Sequence, residues 1–165
     1  MPNLYEPEFD EESQRPHYSW RRARLGRQAG GERLGASLIV LPPGEAAFPM
    51  HYHLGNEELL IVVEGSPSLR MPEEERVLVC GEVVSFPRGE KGAHQVVNRS
   101  QAEARILIVS EMNAPEVVIR PEMSQLSALG RPPGTEADEG LHHVFDLGAA
   151  ESDLWESAKP PPPPP

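Results

Sequence analysis

From residue 37 to 120 short β-rich runs alternate with turns, most of them marked by proline or glycine, and that punctuation limits the chain to short strands. β-rich runs fall at 37–41, 48–53, 58–63, 68–71, 76–80, 83–86, 94–98, 105–110 and 117–120. Turn clusters such as Pro42-Pro43-Gly44, Leu54-Gly55-Asn56, Gly65-Ser66-Pro67 and Pro87-Arg88-Gly89 separate them. Proline removes a ladder donor and glycine enters the left-handed region, so each cluster stops a strand. Short strands about ten residues apart predict an all-β antiparallel sandwich or barrel. None of the runs has the length or the 3.6-residue period of a core helix.

Two runs, Leu59-Leu60-Ile61-Val62-Val63 and Ile106-Leu107-Ile108-Val109, are apolar on both faces. One face fills the core. The other must meet a second sheet, the N-terminal arm or another subunit, and a homodimer is the expectation.

Titratable side chains cluster at two places in this pattern. In the stretch from Gly44 to Gly65, His51 and His53 stand two apart on a strand and so project from one face. A turn follows, and then Glu57 and Glu58 open the next strand. Glu58 shares a face with Leu60 and Val62, but with both faces apolar, parity does not say which carboxylate points inward. In the second stretch, Pro87-Arg88-Gly89 ends one strand and His94 opens another, on one face with Val96 and Asn98. A lone His-x-His is ordinary on any strand. Three imidazoles and a carboxylate in this context are a set of borderline ligands for Fe, Mn, Co, Ni, Cu or Zn. Four protein ligands on an octahedral ion leave two positions for water or substrate.

The first stretch resembles cupin motif 1, G-(x)5-H-x-H-(x)3–4-E-(x)6-G, and the second resembles cupin motif 2, G-(x)5-P-x-G-(x)2-H-(x)3-N. The resemblance implies a double-stranded β-helix or jelly-roll barrel holding one divalent transition metal on His51, His53, Glu58 and His94. It selects Glu58 over Glu57 by its spacing to Gly65. The chain departs from the pattern twice: six residues separate Gly44 from His51, and four separate Gly89 from His94, which lengthens the loop at Glu90-Lys91.

On this reading residues 1–33 are an N-terminal arm packing on the barrel, 34–120 the barrel itself, and 121–165 a largely irregular extension. Trp20 and Leu25 are expected to pin the arm, while Gly26, Gly30, Gly31 and Gly35 are expected to deny it regular structure. A loop is expected at 131–140, a strand near 144–147 and a helical turn at 151–158. The last residues, 159–165, read as a polyproline II tail. His17 and the His142-His143 pair read as solvated, and Cys80, which ends an apolar run, as a buried thiol. Asn98 is expected to fix a neighbouring loop through hydrogen bonds.

The net charge of −11 argues against nucleic acid and anionic membranes as partners, the short basic run from Arg15 to Arg24 being read as a docked or solvated segment. One cysteine, no apolar span and no signal-peptide pattern suggest the cytoplasm. The expected ligand is a small carboxylate- or sugar-like metabolite, and the expected chemistry that of a dioxygenase, isomerase or decarboxylase. The alternative is a metal-dependent binding module without turnover. No catalytic acid or base beyond the four ligands stands out: Tyr52 and Gln95 alternate away from the site, and Glu64 lies at the far end of its strand.

Overall fold

A computed structural model describes residues 1–132 and 141–150. The chain opens with a hairpin of β1 (Glu11–Arg15) and β2 (Tyr18–Ala23), joined by Pro16-His17. Proline presets the first turn position, and His17 takes the left-handed conformation the second one needs, with φ 67°. A single helical turn, α1 (Leu25–Gln28), leads to β3 (Leu34–Leu41). There follow β4 (Tyr52–His53), β5 (Glu58–Glu64), β6 (Ser68–Arg70), β7 (Glu75–Val77), β8 (Val83–Phe86), β9 (Gln95–Val97), β10 (Ala104–Glu111) and β11 (Glu116–Arg120). The chain then adds β12 (Gln125–Leu129), β13 (His142–Asp146) and a terminal turn, α2 (Leu147–Ala150).

The strands form two antiparallel walls. One is a six-stranded sheet in the order β1-β2-β3-β10-β5-β8. The other joins the sheets β13-β12-β11-β4 and β7-β6-β9 through two isolated bridges, His51 with His94 and Ala46 with Val97. This is the jelly-roll architecture expected of so many short strands. No helix among the described residues is long and apolar enough to cross a membrane.

The core lies between the walls. Ile39, Leu41, Leu60, Val62, Leu69, Leu78, Phe86, Val96 and Ile106 form one buried cluster. Their parity settles the question that the sequence left open: Leu60 and Val62 point inward, so Glu58 does too. On the outward face of β5, Leu59 is exposed and Ile61 and Val63 are half-buried. On β3 the outward Leu38 and Val40 are buried as well. Val40 stands in register between Arg21 and Arg105, whose stems can cover it.

Several expectations need correction. The glycines of the arm do not prevent order, because the arm's backbone groups find a ladder on β3: Arg21, Arg22 and Ala23 pair with Val40, Ile39 and Leu38. Glycine even serves there, since a Cβ on Gly26 would lie 2.6 Å from the backbone nitrogen of Ala36. The C-terminal extension contributes β12, which nothing in the sequence marked, and β13, where His142 and His143 sit on an exposed strand rather than in a loop. Cys80 is exposed. The run that suggested burial ends as a strand at Val77, and only Leu78 turns inward before a tight turn. The Cys80 thiol points at the Val63 carbonyl, 3.2 Å away. The helical turn at 151–158, the polyproline tail and most of the 131–140 loop lie outside the described residues.

Trp20 ties the hairpin into the core, with its ring 5.4 Å from that of Phe48. Trp20→Ala should cost about 3 kcal/mol and lower the melting temperature by roughly 10 °C in a single calorimetric transition. An unchanged melting temperature would mean that the hairpin is not part of the folding unit.

Candidate metal centre

The four side chains singled out by the sequence converge, and backbone pairing is the reason. His51 and His94 exchange two backbone hydrogen bonds, N–H to O, of 3.1 and 3.0 Å. That antiparallel pair sets their side chains next to each other, with ring centroids 4.7 Å apart. His53 follows two residues on in β4, opposite Val118 of β11, and so faces the same interior. Glu58 arrives from the facing wall at the start of β5, where it pairs with Phe86. Its Oε2 lies 3.6 Å from the Nε2 of both His53 and His94. The ligating atoms of His51, His53 and Glu58 lie within 4.8 Å of one another. Metal bonds of about 2.1 Å separate neighbouring donors by about 3 Å and opposite ones by about 4 Å, so the cluster has the size an ion needs.

The ring orientations suit the same purpose. His51 Nδ1 is 2.8 Å from the Pro49 carbonyl and His94 Nδ1 is 2.9 Å from the Gly92 carbonyl. A carbonyl only accepts, so each Nδ1 carries the proton and each Nε2 keeps its lone pair. The Phe86 ring stacks on His94, 3.7 Å between centroids and 5° from parallel, and Phe48 meets His51 edge-on. Burial pushes the His94 pKa down to about 4. It also holds His51 well below the ordinary histidine value, helped by the neighbouring His94 and His53. Neutral imidazoles are the form that ligates. His53 differs: burial pulls it down, but the carboxylates of Glu116 and Glu58 outweigh that and leave it raised. Glu58 is raised by burial, with His53 opposing and Glu116 adding to the shift.

Glu116 is the residue the sequence reading missed. Its side chain is wholly buried, and its Oε1 lies 3.7 Å from His53 Nδ1. That nitrogen is buried and has no hydrogen-bond partner at this distance. Glu116 is held by the turn that precedes Glu58: it accepts from the Asn56 side-chain amide and, at 3.3 Å, from the Gly55 backbone N–H. Asn56 in turn accepts from the Asn113 backbone N–H at 2.7 Å. A Cβ on Gly55 would lie 3.0 Å from Glu116 Oε2, which gives that glycine a reason beyond its turn. No sequence signal marked it: it stands just before the strand-like run at 117–120, and its place beside His53 comes from the pairing of β11 with β4.

The other positions resolve simply. Asn98 donates to the carbonyls of Leu41 (2.8 Å) and Ala102 (2.7 Å), fixing the loop as expected. Gln95 is spent on the Phe48 carbonyl and on Arg70. Glu64 pairs with Arg105 at the surface. The lengthened loop forms a 3₁₀ turn at Glu90–Gly92, and the Gly89 N–H before it reaches back to the His53 carbonyl at 2.7 Å.

His51, Glu58 and His94 border a cavity of about 460 Å³. Its walls include Ile39, Phe48, Ile106 and Ile108, together with Arg22, Arg24 and Arg27 of the N-terminal segment.

A family model described as Cupin domain matches residues 37–110. The tetracenomycin polyketide synthase protein TcmJ of Streptomyces glaucescens is 33% identical over 88 residues, 53% of this chain and 54% of that protein. The chain therefore spans about half the length of the curated relative it matches. A solved sugar phosphate isomerase from a cupin superfamily, from Silicibacter pomeroyi, superposes with a TM-score of 0.76 at 24% identity, over 93% of this chain and 97% of that one. The polyketide cyclase RemF of Streptomyces resistomycificus superposes with a TM-score of 0.53 at 25% identity, over 63% and 74%.

The histidine shifts carry a pH dependence. A histidine held below its unfolded pKa of about 6.5 takes up a proton only on unfolding, so acid favours the unfolded chain. His51 and His94 act in that sense. His53 and Glu58, both raised, act in the opposite sense. The two depressed groups should dominate. The metal-free protein should lose stability between pH 6.5 and 4, His94 alone contributing about 3 kcal/mol. Urea midpoints across that window test this, and the loss should shrink in His94→Gln.

Proposed function

Because the chain is a small cupin-domain protein, its barrel matched over residues 37–110, we propose that His51, His53, Glu58 and His94 hold one divalent transition-metal ion and that the protein acts there on a small oxygen-bearing metabolite. The observation that carries this is the grouping of His51, His53 and Glu58, with ligating atoms within 4.8 Å of one another and the His94 Nε2 3.6 Å from Glu58 Oε2, beside a cavity large enough for a metabolite. The donor set fits a borderline ion: Fe, Mn, Co, Ni, Cu or Zn. When bound, such an ion polarises a carbonyl or hydroxyl oxygen, the chemistry that isomerases, decarboxylases and, with iron, dioxygenases share.

The chain's own residues prepare that chemistry. The Pro49 and Gly92 carbonyls fix the tautomers of His51 and His94, and burial keeps both rings neutral. Glu58 supplies the negative charge. Glu116 faces the far nitrogen of His53 and orients that ring, a role that outer carboxylates commonly take behind a ligating histidine. Ile39, Phe48, Ile106 and Ile108 give the space beside the cluster an apolar wall. That wall favours a carboxylate with an apolar body over a bare sugar. The likeness to TcmJ, a polyketide synthase protein, and to the polyketide cyclase RemF supports the same choice.

A second reading, a binding module without turnover, has one observation in its favour. Among the described residues lining the cavity, the only carboxylate besides Glu58 is Glu32, so no acid or base is evident beside the ligands. Saturable uptake of a metabolite with no product, under air and with the ion supplied, would favour this reading over an enzyme.

Elemental analysis of the purified protein should find close to one transition-metal ion per chain. His53→Ala and His94→Ala should lose it, and saturating metal should raise the wild-type melting temperature through its linkage to folding. Unchanged metal content in both variants would remove the assignment. Glu116→Ala should keep the fold of the barrel but weaken the ion's affinity by about tenfold or more, read by competition with a chromogenic chelator. Affinity equal to wild type would leave Glu116 a purely structural acid.

A further inference from the structure

We propose that the hairpin wall of the cavity is an oxyanion subsite. It is built on Arg22 and flanked by Arg24 and Arg27, and it fixes the carboxylate or phosphate ester of a small organic anion. The ligand's far end faces His51, Glu58 and His94. For that far end the inference rests on the metal reading above. What it adds is the chemistry of the near end, which comes from a segment outside the matched residues 37–110.

Arg22 sits on β2 in register with Ile39, which pairs with Ile106, which pairs with Val62. Ile39 and Ile106 line the cavity together with Arg22. The guanidinium is held still from two directions. Its Nε donates to Glu11 Oε2 at 3.0 Å, and one Nη meets the same oxygen. Its carbon lies 5.6 Å from the Trp20 ring, within cation–π range. The side chain is only 15% exposed. A guanidinium carries five N–H donors, and Glu11 occupies one edge of it. No other protein group among the described residues accepts from Arg22. A fixed, largely desolvated fork with donors left over is the arrangement that recognises planar oxyanions. The chain as a whole carries −11, and Arg22 and Arg24 are themselves paired with Glu11 and Asp10, so what this wall offers an anion is the unused N–H donors of Arg22 and not an excess of positive charge.

The register also fixes the ligand's proportions. Glu58 pairs with Ser110, and Ser110 pairs with Gly35. Arg22 pairs with Ile39, four residues along the same strand and three strands across the sheet from Glu58, so the two groups are offset by about 13 Å along the strands and about 14 Å across them, less the reach of the side chains. Ile39, Phe48, Ile106 and Ile108 line the cavity that joins them. A compact diacid cannot meet both ends. An anion with an apolar body about the length of two fused rings can.

Isothermal titration of the full chain tests this with three probes: 2-naphthoate, its uncharged analogue 2-naphthol, and inorganic phosphate as competitor. Wild-type protein should bind the naphthoate about tenfold or more tightly than the naphthol, and equal affinities would overturn the subsite. Arg22→Gln should lose about tenfold in naphthoate affinity while taking up Zn(II) like wild type. Arg22→Lys keeps the charge and the pairing with Glu11, guards against misfolding, and should weaken binding by a smaller factor. If both variants are folded by circular dichroism and bind naphthoate like wild type, the proposal fails. Displacement by phosphate would identify a phosphate ester as the natural group, and its absence a carboxylate. Arg22-dependent anion binding without Zn(II) uptake would support the subsite and sink the metal reading. Zn(II) uptake without anion binding would do the reverse.

Discussion

The paired backbone hydrogen bonds between His51 and His94 hold the site and the barrel in one geometry. They belong to no regular strand, yet they join the sheet that contains β4 to the sheet that contains β9 and so complete the second wall. The same two bonds set the imidazoles side by side over the interior, tilted 48° to each other. Each ring is then locked from behind by a carbonyl two residues upstream, Pro49 for one and Gly92 for the other. The ligand geometry is therefore inherited from the main chain. Side-chain packing refines it through Phe86 and Phe48 rather than creating it.

Placing such a cluster inside an apolar barrel has an electrostatic cost, and the structure shows how it is contained. Burying a charge without a partner is far more costly than burying a neutral ring. Two of the histidines are accordingly held neutral. His53 is raised by its carboxylate neighbours instead, and the half-buried Arg120 opposes protonation of both His51 and His53. Glu116 is satisfied by Asn56 and Gly55, so its carboxylate is a fixed feature and not a loose one. What the cluster lacks is a second positive charge among its inward-pointing lone pairs, and on the proposed reading the ion provides it.

The N-terminal hairpin has two structural consequences. It extends the six-stranded sheet beyond β3, so that a charged strand, Glu11 to Arg15, forms the outer edge and discourages further pairing. It also brings Trp20 and Arg22 to the inward face, one into the core and one onto the cavity wall. A single strand alternation thus supplies both stability and polarity, because residues two apart share a face.

The strand-and-turn punctuation, the all-β class and the shared face of His51 and His53 were legible in the sequence, because they depend on local rules: what ends a strand, and which residues two apart share a face; His94 and the choice of Glu58 over Glu57 came only through the resemblance to the cupin motifs. The inward face of β5 was not legible, since Leu59 through Val63 are apolar on both sides and only the opposing wall breaks the tie. Nor was Glu116, one of 26 acidic residues, whose importance comes from a turn some sixty positions away. The order of the hairpin, the exposure of Cys80 and the meeting of Arg22 with the metal-candidate cavity were hidden for the same reason. Each is set by which distant backbone supplies a hydrogen-bond partner or a wall. Local pattern fixes what a segment can become, and long-range pairing decides what it faces.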